Sequence, residues 1–363
     1  MGAGCPRPLF FCRDESHPAS FGPSAIALCK RLYCRRGRFP VTASPGNLVN
    51  MAGLWDRHIQ PAMQLMRWKL AITAIADGQA ALVLSRWSAN DHGNTAQAIW
   101  DVASAVPVLM MSLGLYAGGM ILNDLVDQNR DRFLEPDKPL PSGRISPLTG
   151  NILCGLAFAV GITGGVWTAF NSGYTAISLF FLFWTIALIL FYNFVGKFLG
   201  ASGVLSLGLI RFFHAATAQP HLTILVHPLL LLNHVTILSA VCYVLEGKRP
   251  RLTQLHRWTI GGGLVLLDVF LVGGVLLATV LRHHGQSLAA MLGLHVAIIW
   301  PLLLAGVFAA LAYRMLRRLP LFAGQVPARE VVAGRHRAGR KLMFLGLLWL
   351  VIYDAAFIIL GFL

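Results

Sequence analysis

Charged residues make up only 12% of this 363-residue chain, about half of the roughly 25% carried by an ordinary soluble domain. So thin a polar complement excludes soluble globular classes, disorder and collagen-like repeats. Acidic residues are the scarcest: fifteen Asp and Glu stand against thirty Lys and Arg, a formal charge of +15. In a soluble protein that balance would point to nucleic acid. With 56% hydrophobic residues there is too little solvated surface to build such an interface, and no nucleic-acid partner is expected. Cysteine is sparse too. Of six, Cys5, Cys12, Cys29 and Cys34 fall in the first fifty residues and Cys154 and Cys242 in apolar segments, with no metal-site or disulfide-framework spacing. Residues 1–50, rich in Pro, Arg and Cys, lack an apolar run long enough for a signal-peptide core. They read as a leader or disordered extension, with Met51 as an alternative start, and 51–363 as the folded domain.

What the chain has in abundance is long apolar runs. A bilayer core asks for about 20 apolar helical residues, and nine stretches qualify, near 69–87, 100–122, 147–168, 174–194, 199–217, 223–245, 258–281, 289–313 and 343–362. The third and fourth come from one uncharged block that breaks at Asn171, Ser172 and Gly173. The expected fold is therefore all-α: a polytopic membrane protein of about nine transmembrane helices in one bundle. Basic residues test this count. Twenty-seven of the thirty Lys and Arg fall in residues 1–70 or in the connections after spans two, four, six and eight; Arg86 and Arg282 alone fall on the other side, and Arg211 inside a span. By the positive-inside rule the N-terminus and the even connections are cytoplasmic and the C-terminus lies opposite. A bacterial inner membrane is the default location. The Arg-rich segment from Tyr313 to Lys341 reads either as a piece lying along an anionic leaflet or as a solvated basic loop.

Five of the fifteen carboxylates lie within fourteen residues: Asp124, Asp127, Asp131, Glu135 and Asp137. If span two continues as a helix, Asn123, Asp127 and Asp131 fall within about 80° of one face. Carboxylates four apart repel unless a cation sits between them, and hard oxygen donors at a cavity mouth favour Mg²⁺ completed by water and phosphate. The plainer reading is that these acids solvate a loop and pair with Arg130, Arg132 and Lys138. The proline-stiffened turn that follows, Pro136 to Ser146, offers Lys138, Arg144 and Ser142 to phosphate oxygens.

The run NDLVDQNRDRFLEPDKPLPSGRIS, residues 123–146, resembles the first aspartate-rich motif of the UbiA superfamily of intramembrane prenyltransferases. More weakly the resemblance extends over residues 65–363, through the nine spans, the segment Met66 to Asp77, and Tyr192 with Lys197 after span four. It implies a helical bundle around a central cavity open to lipid, capped on the cytoplasmic side by two acidic loops that hold Mg²⁺ and a prenyl diphosphate. Carried over by position, Asn123, Asp127 and Asp131 are the catalytic metal and diphosphate ligands and Asp124 is a supporting acid. Lys138, Arg144 and Lys197 become diphosphate contacts, with Lys138 standing where the family usually has Arg. The implied activity is Mg²⁺-dependent transfer of a prenyl group to a lipophilic or aromatic acceptor within the membrane.

The chain departs from the family where a second acidic motif is usual, after span six. There Glu246 stands alone before Gly247, Lys248 and Arg249. Glu246 reads either as a surviving second-site metal ligand, with Lys248 and Arg249 offsetting diphosphate charge, or as a partner of those cations. That reduction motivates an alternative: a UbiA-like protein that binds a prenyl lipid, or supports a membrane biosynthetic assembly, without catalysis. A secondary transporter is weaker, because the acids sit at a span end. Within spans, Asp77, Arg211 and Asp268 each need a partner or the cavity, and Arg211 is assigned to the cavity or to a pair with Asp77 or Asp268. Tyr192 and Asn193 are further cavity candidates. His214, His221, His227 and His234 read as packing or interfacial residues, since spacings of six or seven suit no metal-binding helix face.

Overall fold

A computed structural model describes residues 55–89, 101–222, 224–247, 250–282, 299–317 and 328–362. The expected leader, Lys248 and Arg249, and the part of the basic segment between Arg317 and Ala328 lie outside the described residues. Within them every regular element is a helix, with no strand. A π-helical turn, Trp55–Ile59, leads into the short α1, Gln60–Leu65. Then follow α2 Trp68–Ala89, α3 Val102–Val126, the short α4 Gln128–Leu134, α5 Pro147–Asn171 and α6 Thr175–Phe194. The remaining five are α7 Ala201–Ala218, α8 Val226–Leu245, α9 Gln254–Arg282, α10 Ile299–Arg317 and α11 Ala328–Phe362.

Nine of these helices are long, in the expected order. Eight are long and apolar enough to cross a membrane; α2 falls short because it carries Lys69, Asp77, Gln79 and Arg86. The chain is an integral membrane protein. Large apolar side chains such as Leu266, Phe270 and Phe183 point outward, exposed, as lipid rather than water demands. One boundary differs clearly from expectation. The last helix begins at Ala328, so the basic run through Lys341 is its first turns and not a loop; Ala and Arg there are strong helix formers.

Local chemistry sets the breaks. Asp101 accepts the Ser104 amide at 2.9 Å and caps α3, and Ser146 accepts the Thr149 amide at 3.0 Å ahead of Pro147 to start α5. The expected break between spans three and four stands at Gly173, whose φ of +72° suits glycine. Inside the bundle small residues bring backbones together. A Cβ on Gly114 would lie 2.3 Å from the Gly161 backbone nitrogen, so α3 and α5 meet backbone to backbone. α2 packs against α3, α7 and α11, while α7 and α11 each pack on α8, so α2, α7, α8 and α11 close into a ring.

Candidate functional site at the acidic end of the bundle

The α3 helix ends at Asp127, yet its bonding pattern runs on. The Asp127 amide donates to Asn123 O at 3.0 Å and the Asp131 amide to Asp127 O at 2.9 Å. The three residues therefore keep the helical repeat that places them on one face. After α4 the chain turns back: the Ile145 amide donates to Pro139 O at 3.1 Å, and Leu140 and Ile145 are buried as anchors. Gly143, at φ +76°, makes the turn possible.

Asp124, Asp127 and Asp131 are all buried and so do not merely solvate a loop, although two of the cations the plainer reading named, Arg130 and Lys138, do pair with them. Each is held by cations from separate parts of the chain. Lys197 Nζ, in the turn Gly196–Phe198 after α6, lies 2.8 Å from Asp127 Oδ1 and donates to Asn123 Oδ1 at 3.5 Å. Lys138 Nζ lies 2.8 Å from Asp131, 3.0 Å from Glu135 and 3.6 Å from Asp124. The half-exposed Arg130 sits between Asp127, at 2.8 Å, and Asp131, at 3.8 Å. The cation demanded by two carboxylates one turn apart is thus, in this structure, a guanidinium. Burial works against the Lys138 charge, but the carboxylates of Asp131, Asp124 and Glu135 outweigh it and raise its pKa above 10.5.

Arg144 stands apart from the acids: it donates to Gln64 Oε1 at 3.0 Å, Ser142 Oγ at 3.1 Å and Asp137 O at 2.5 Å. Tyr192 lies within electrostatic reach of Asp127, Arg67 and Arg130. Asn193 is buried, donates to Ile189 O at 2.9 Å and keeps an unpartnered Oδ1. Glu246 caps the end of α8 against α11, where a Cβ on Gly339 would come 2.8 Å from its Cγ. Among the described residues no three His, Cys, Asp or Glu side chains form a metal-holding group, so Glu246 does not complete one with the first acids. The donor set of Asp127, Asp131 and Asn123 nonetheless suits Mg²⁺ in kind, being hard oxygens on one helical face.

Two curated relatives share sequence with the chain. The digeranylgeranylglyceryl phosphate synthase of Sulfolobus acidocaldarius is 40% identical over 57 residues, 16% of this chain and 20% of that protein. The synthase of the same name from Methanopyrus kandleri is 40% identical over 62 residues, 17% of this chain and 22% of that protein. The resemblance to the UbiA superfamily of intramembrane prenyltransferases stands. The matched stretch spans about a fifth of these relatives' length, and no family model matches the chain. Two solved structures cover most of it. One, from work on the biosynthesis of digeranylgeranylglyceryl phosphate synthase in membranes, has a TM-score of 0.49 and 17% identity over 82% of this chain and 99% of its own. The other, a UbiA homolog from Archaeoglobus fulgidus bound to GPP and Mg²⁺, has a TM-score of 0.40 and 14% identity over 83% and 98%.

Sequence reasoning missed Arg67. It sits at the break between α1 and α2, at φ +49°, and its guanidinium lies 3.2 Å from Asp124. Its position before the first span made it look like a topology signal only. Arg211 pairs with Asp77 and donates to Thr73 Oγ1 at 2.9 Å. The pairing with Asp268 does not form: Asp268 accepts instead from Asn233 Nδ2 at 3.0 Å. Asp354 and His227, 2.9 Å apart and buried in the same bundle, were also missed, Asp354 because it falls in an otherwise apolar span. The remaining histidines read as packing residues do pack: His214 bonds Ser112 at 3.0 Å, His234 bonds Gly346 O at 2.9 Å, and His221 meets the Tyr174 ring.

Proposed function

We propose that this protein transfers a prenyl group from a prenyl diphosphate to a lipophilic or aromatic acceptor within the membrane, with Mg²⁺ held by Asp127, Asp131 and Asn123. The observation that carries this reading is the burial of Asp124, Asp127 and Asp131 among Arg67, Arg130, Lys138 and Lys197 at one end of an apolar bundle. A prenyl diphosphate is a greasy chain ending in concentrated negative charge, and this end matches it. The acids would hold a metal and the lysines and arginines would face phosphate oxygens, while the helices below offer an apolar environment that would keep water from an allylic cation.

A bound Mg²⁺ would supply stabilisation of the charge that builds on the departing diphosphate. The chain's own residues do the rest. Lys138 and Lys197 are pre-positioned beside the carboxylates, so they neutralise diphosphate with little reorganisation. Lys138 meets it as a point charge, where an arginine would grip it in a bidentate fork. Arg144, fixed by Gln64 and Ser142, sits on the outer edge of the same turn as a further phosphate contact. Tyr192 lies within electrostatic reach of Asp127. Glu246, with Lys248 and Arg249 beyond it, is assigned a supporting role at the rim, as the remnant of a second metal site.

The acidic end, by the distribution of Lys and Arg, faces the cytoplasm. The relatives' name carries a glyceryl phosphate bearing prenyl groups, and prenylated glyceryl phosphate is the first acceptor class to try. The test is diphosphate release by purified protein given prenyl diphosphates of several lengths, with Mg²⁺ and either that acceptor or a membrane lipid extract. Release that needs Mg²⁺, acceptor and Asp127 supports transfer. Tight binding of prenyl diphosphate with no release under any acceptor supports instead the non-catalytic reading, motivated by the single carboxylate at position 246.

A further inference from the structure

Independently of the acidic end, the closed ring of α2, α7, α8 and α11 brings one ionisable side chain from each helix to a single buried point. Asp77 and His227 have no exposed surface and Asp354 is 1% exposed. Arg211 pairs with Asp77 Oδ2 and also donates to Thr73 Oγ1 at 2.9 Å. His227 Nε2 lies 2.9 Å from Asp354 Oδ1. Asp77 and Asp354 stand on two helices that pack on each other, close enough to act on one another electrostatically, and one oxygen of each, Asp77 Oδ1 and Asp354 Oδ2, has no hydrogen-bond partner. His214 on α7, bonded to Ser112, and Tyr116 on α3 are the other titratable groups close to Arg211. The Phe357 ring closes edge-on over His227.

Two ionised carboxylates do not make a stable dry contact inside an apolar bundle, because each needs a donor or a counter-charge that the other cannot give. One proton between them resolves the conflict. Arg211 is permanently charged, so the carboxylate it touches, Asp77, is the ionised one. We propose that Asp354 holds the proton: a neutral carboxylic acid whose Oδ2 hydroxyl donates to Asp77 Oδ1 and whose Oδ1 accepts from the Nε2–H of a neutral His227. Counted this way the cluster is Arg⁺, Asp⁻, a neutral acid and a neutral imidazole, with zero net charge. It is an intramembrane proton-holding site that fastens α11 onto α2. The opposite placement has the same net charge, but it would set Arg211 against a neutral acid and leave the ionised Asp354 facing only a neutral imidazole.

Paired asparagine substitutions in the full-length protein test this. Asp354→Asn keeps a donor and an acceptor in the same places, so the detergent-solubilised protein should melt within about 2 °C of wild type. Asp77→Asn strands the Arg211 charge and should lower the melting temperature by something on the order of 10 °C. Equal tolerance of the two, or the reverse order, overturns the assignment. Infrared spectroscopy gives a readout in the unsubstituted protein. Wild type and Asp268→Asn should both carry the carbonyl band of a buried carboxylic acid, unchanged as bulk pH moves from about 6 to about 8, and Asp354→Asn should lack it. No such band in the wild type overturns the proposal.

Discussion

Lys197, in the turn after α6, holds the buried carboxylate of Asp127 at 2.8 Å, and both side chains are more than nine-tenths buried. A tether between the end of the fourth span and the end of the second fixes where the acids stand relative to the rest of the bundle. It also leaves Asp127 with its second oxygen on the half-exposed Arg130, the side from which a ligand would arrive. Asp127→Asn is nearly isosteric and keeps an oxygen for Lys197, so the protein should still fold. Loss of the charge should lower Mg²⁺-dependent diphosphate release by on the order of 100-fold or more. Release rates measured beside a circular-dichroism melt separate the two effects, and near-normal turnover in the variant would remove Asp127 from the reaction.

Lys138 bridges three carboxylates, at 2.8, 3.0 and 3.6 Å, and gives a prediction with a definite sign. Its pKa is raised in the folded protein, so the stabilisation from its charge is fully present below the ordinary lysine value of 10.5 and is lost as pH climbs through the raised value. Lys138→Met should therefore lower the melting temperature by a constant amount between about pH 7 and pH 9. Above pH 10.5 the gap should narrow as wild type loses the same charge. A gap that varied across the neutral range would mean that another group sets the pH response.

Much of this was legible in the sequence because a membrane leaves few choices. Among the described residues nine long helices follow the order of the nine apolar runs, and some of the basic residues assigned to one face come together. Arg67, the 124–146 segment and Lys197 meet one another at one end, where Gly200 also packs near Leu252 and Pro250. The helical spacing of Asn123, Asp127 and Asp131 likewise survived, although one helix ends and the next begins at Asp127 itself. What sequence did not reveal were partners distant along the chain. Arg67 looked like a flank, and Asp354 is a single acid in a long apolar stretch. Nothing in spacing links it to Asp77, because only the packing of α11 on α2 does so. The choice of Asp77 over Asp268 for Arg211 is of the same kind.

Glu246 offers a third prediction. It sits at the α8 terminus, pressed against Gly339 of α11, and does not join the first acids in a metal-holding group among the described residues. If it supports diphosphate binding from the rim, Glu246→Gln should raise the KM for prenyl diphosphate by roughly 10-fold while leaving kcat within about 2-fold, the pattern of lost ground-state binding. A fall in kcat at unchanged KM would place Glu246 at the reacting centre. No change in either constant would confine it to its structural neighbours.

The α3–α5 interface makes the last prediction, about the scaffold rather than the site. A Cβ on Gly161 would lie 2.6 Å from the Leu115 backbone nitrogen, and one on Gly164 would lie 2.5 Å from that of Met111. Neither neighbour is a side-chain tip that can swing away, so even alanine must push the helices apart. α3 is the helix that ends in Asp127, and its displacement would carry the acids away from Lys197, which is anchored through α6 and the turn before α7. Gly161→Ala should therefore destabilise the protein by about 1 to 3 kcal/mol and also weaken Mg²⁺-dependent binding of prenyl diphosphate, although position 161 lies well down the helix from the acids. Gly155→Ala, on the same helix with nothing near its Cβ, is the matched control and should leave both stability and binding unchanged. Equal melting temperatures for the two variants would show that α3 and α5 do not depend on backbone contact.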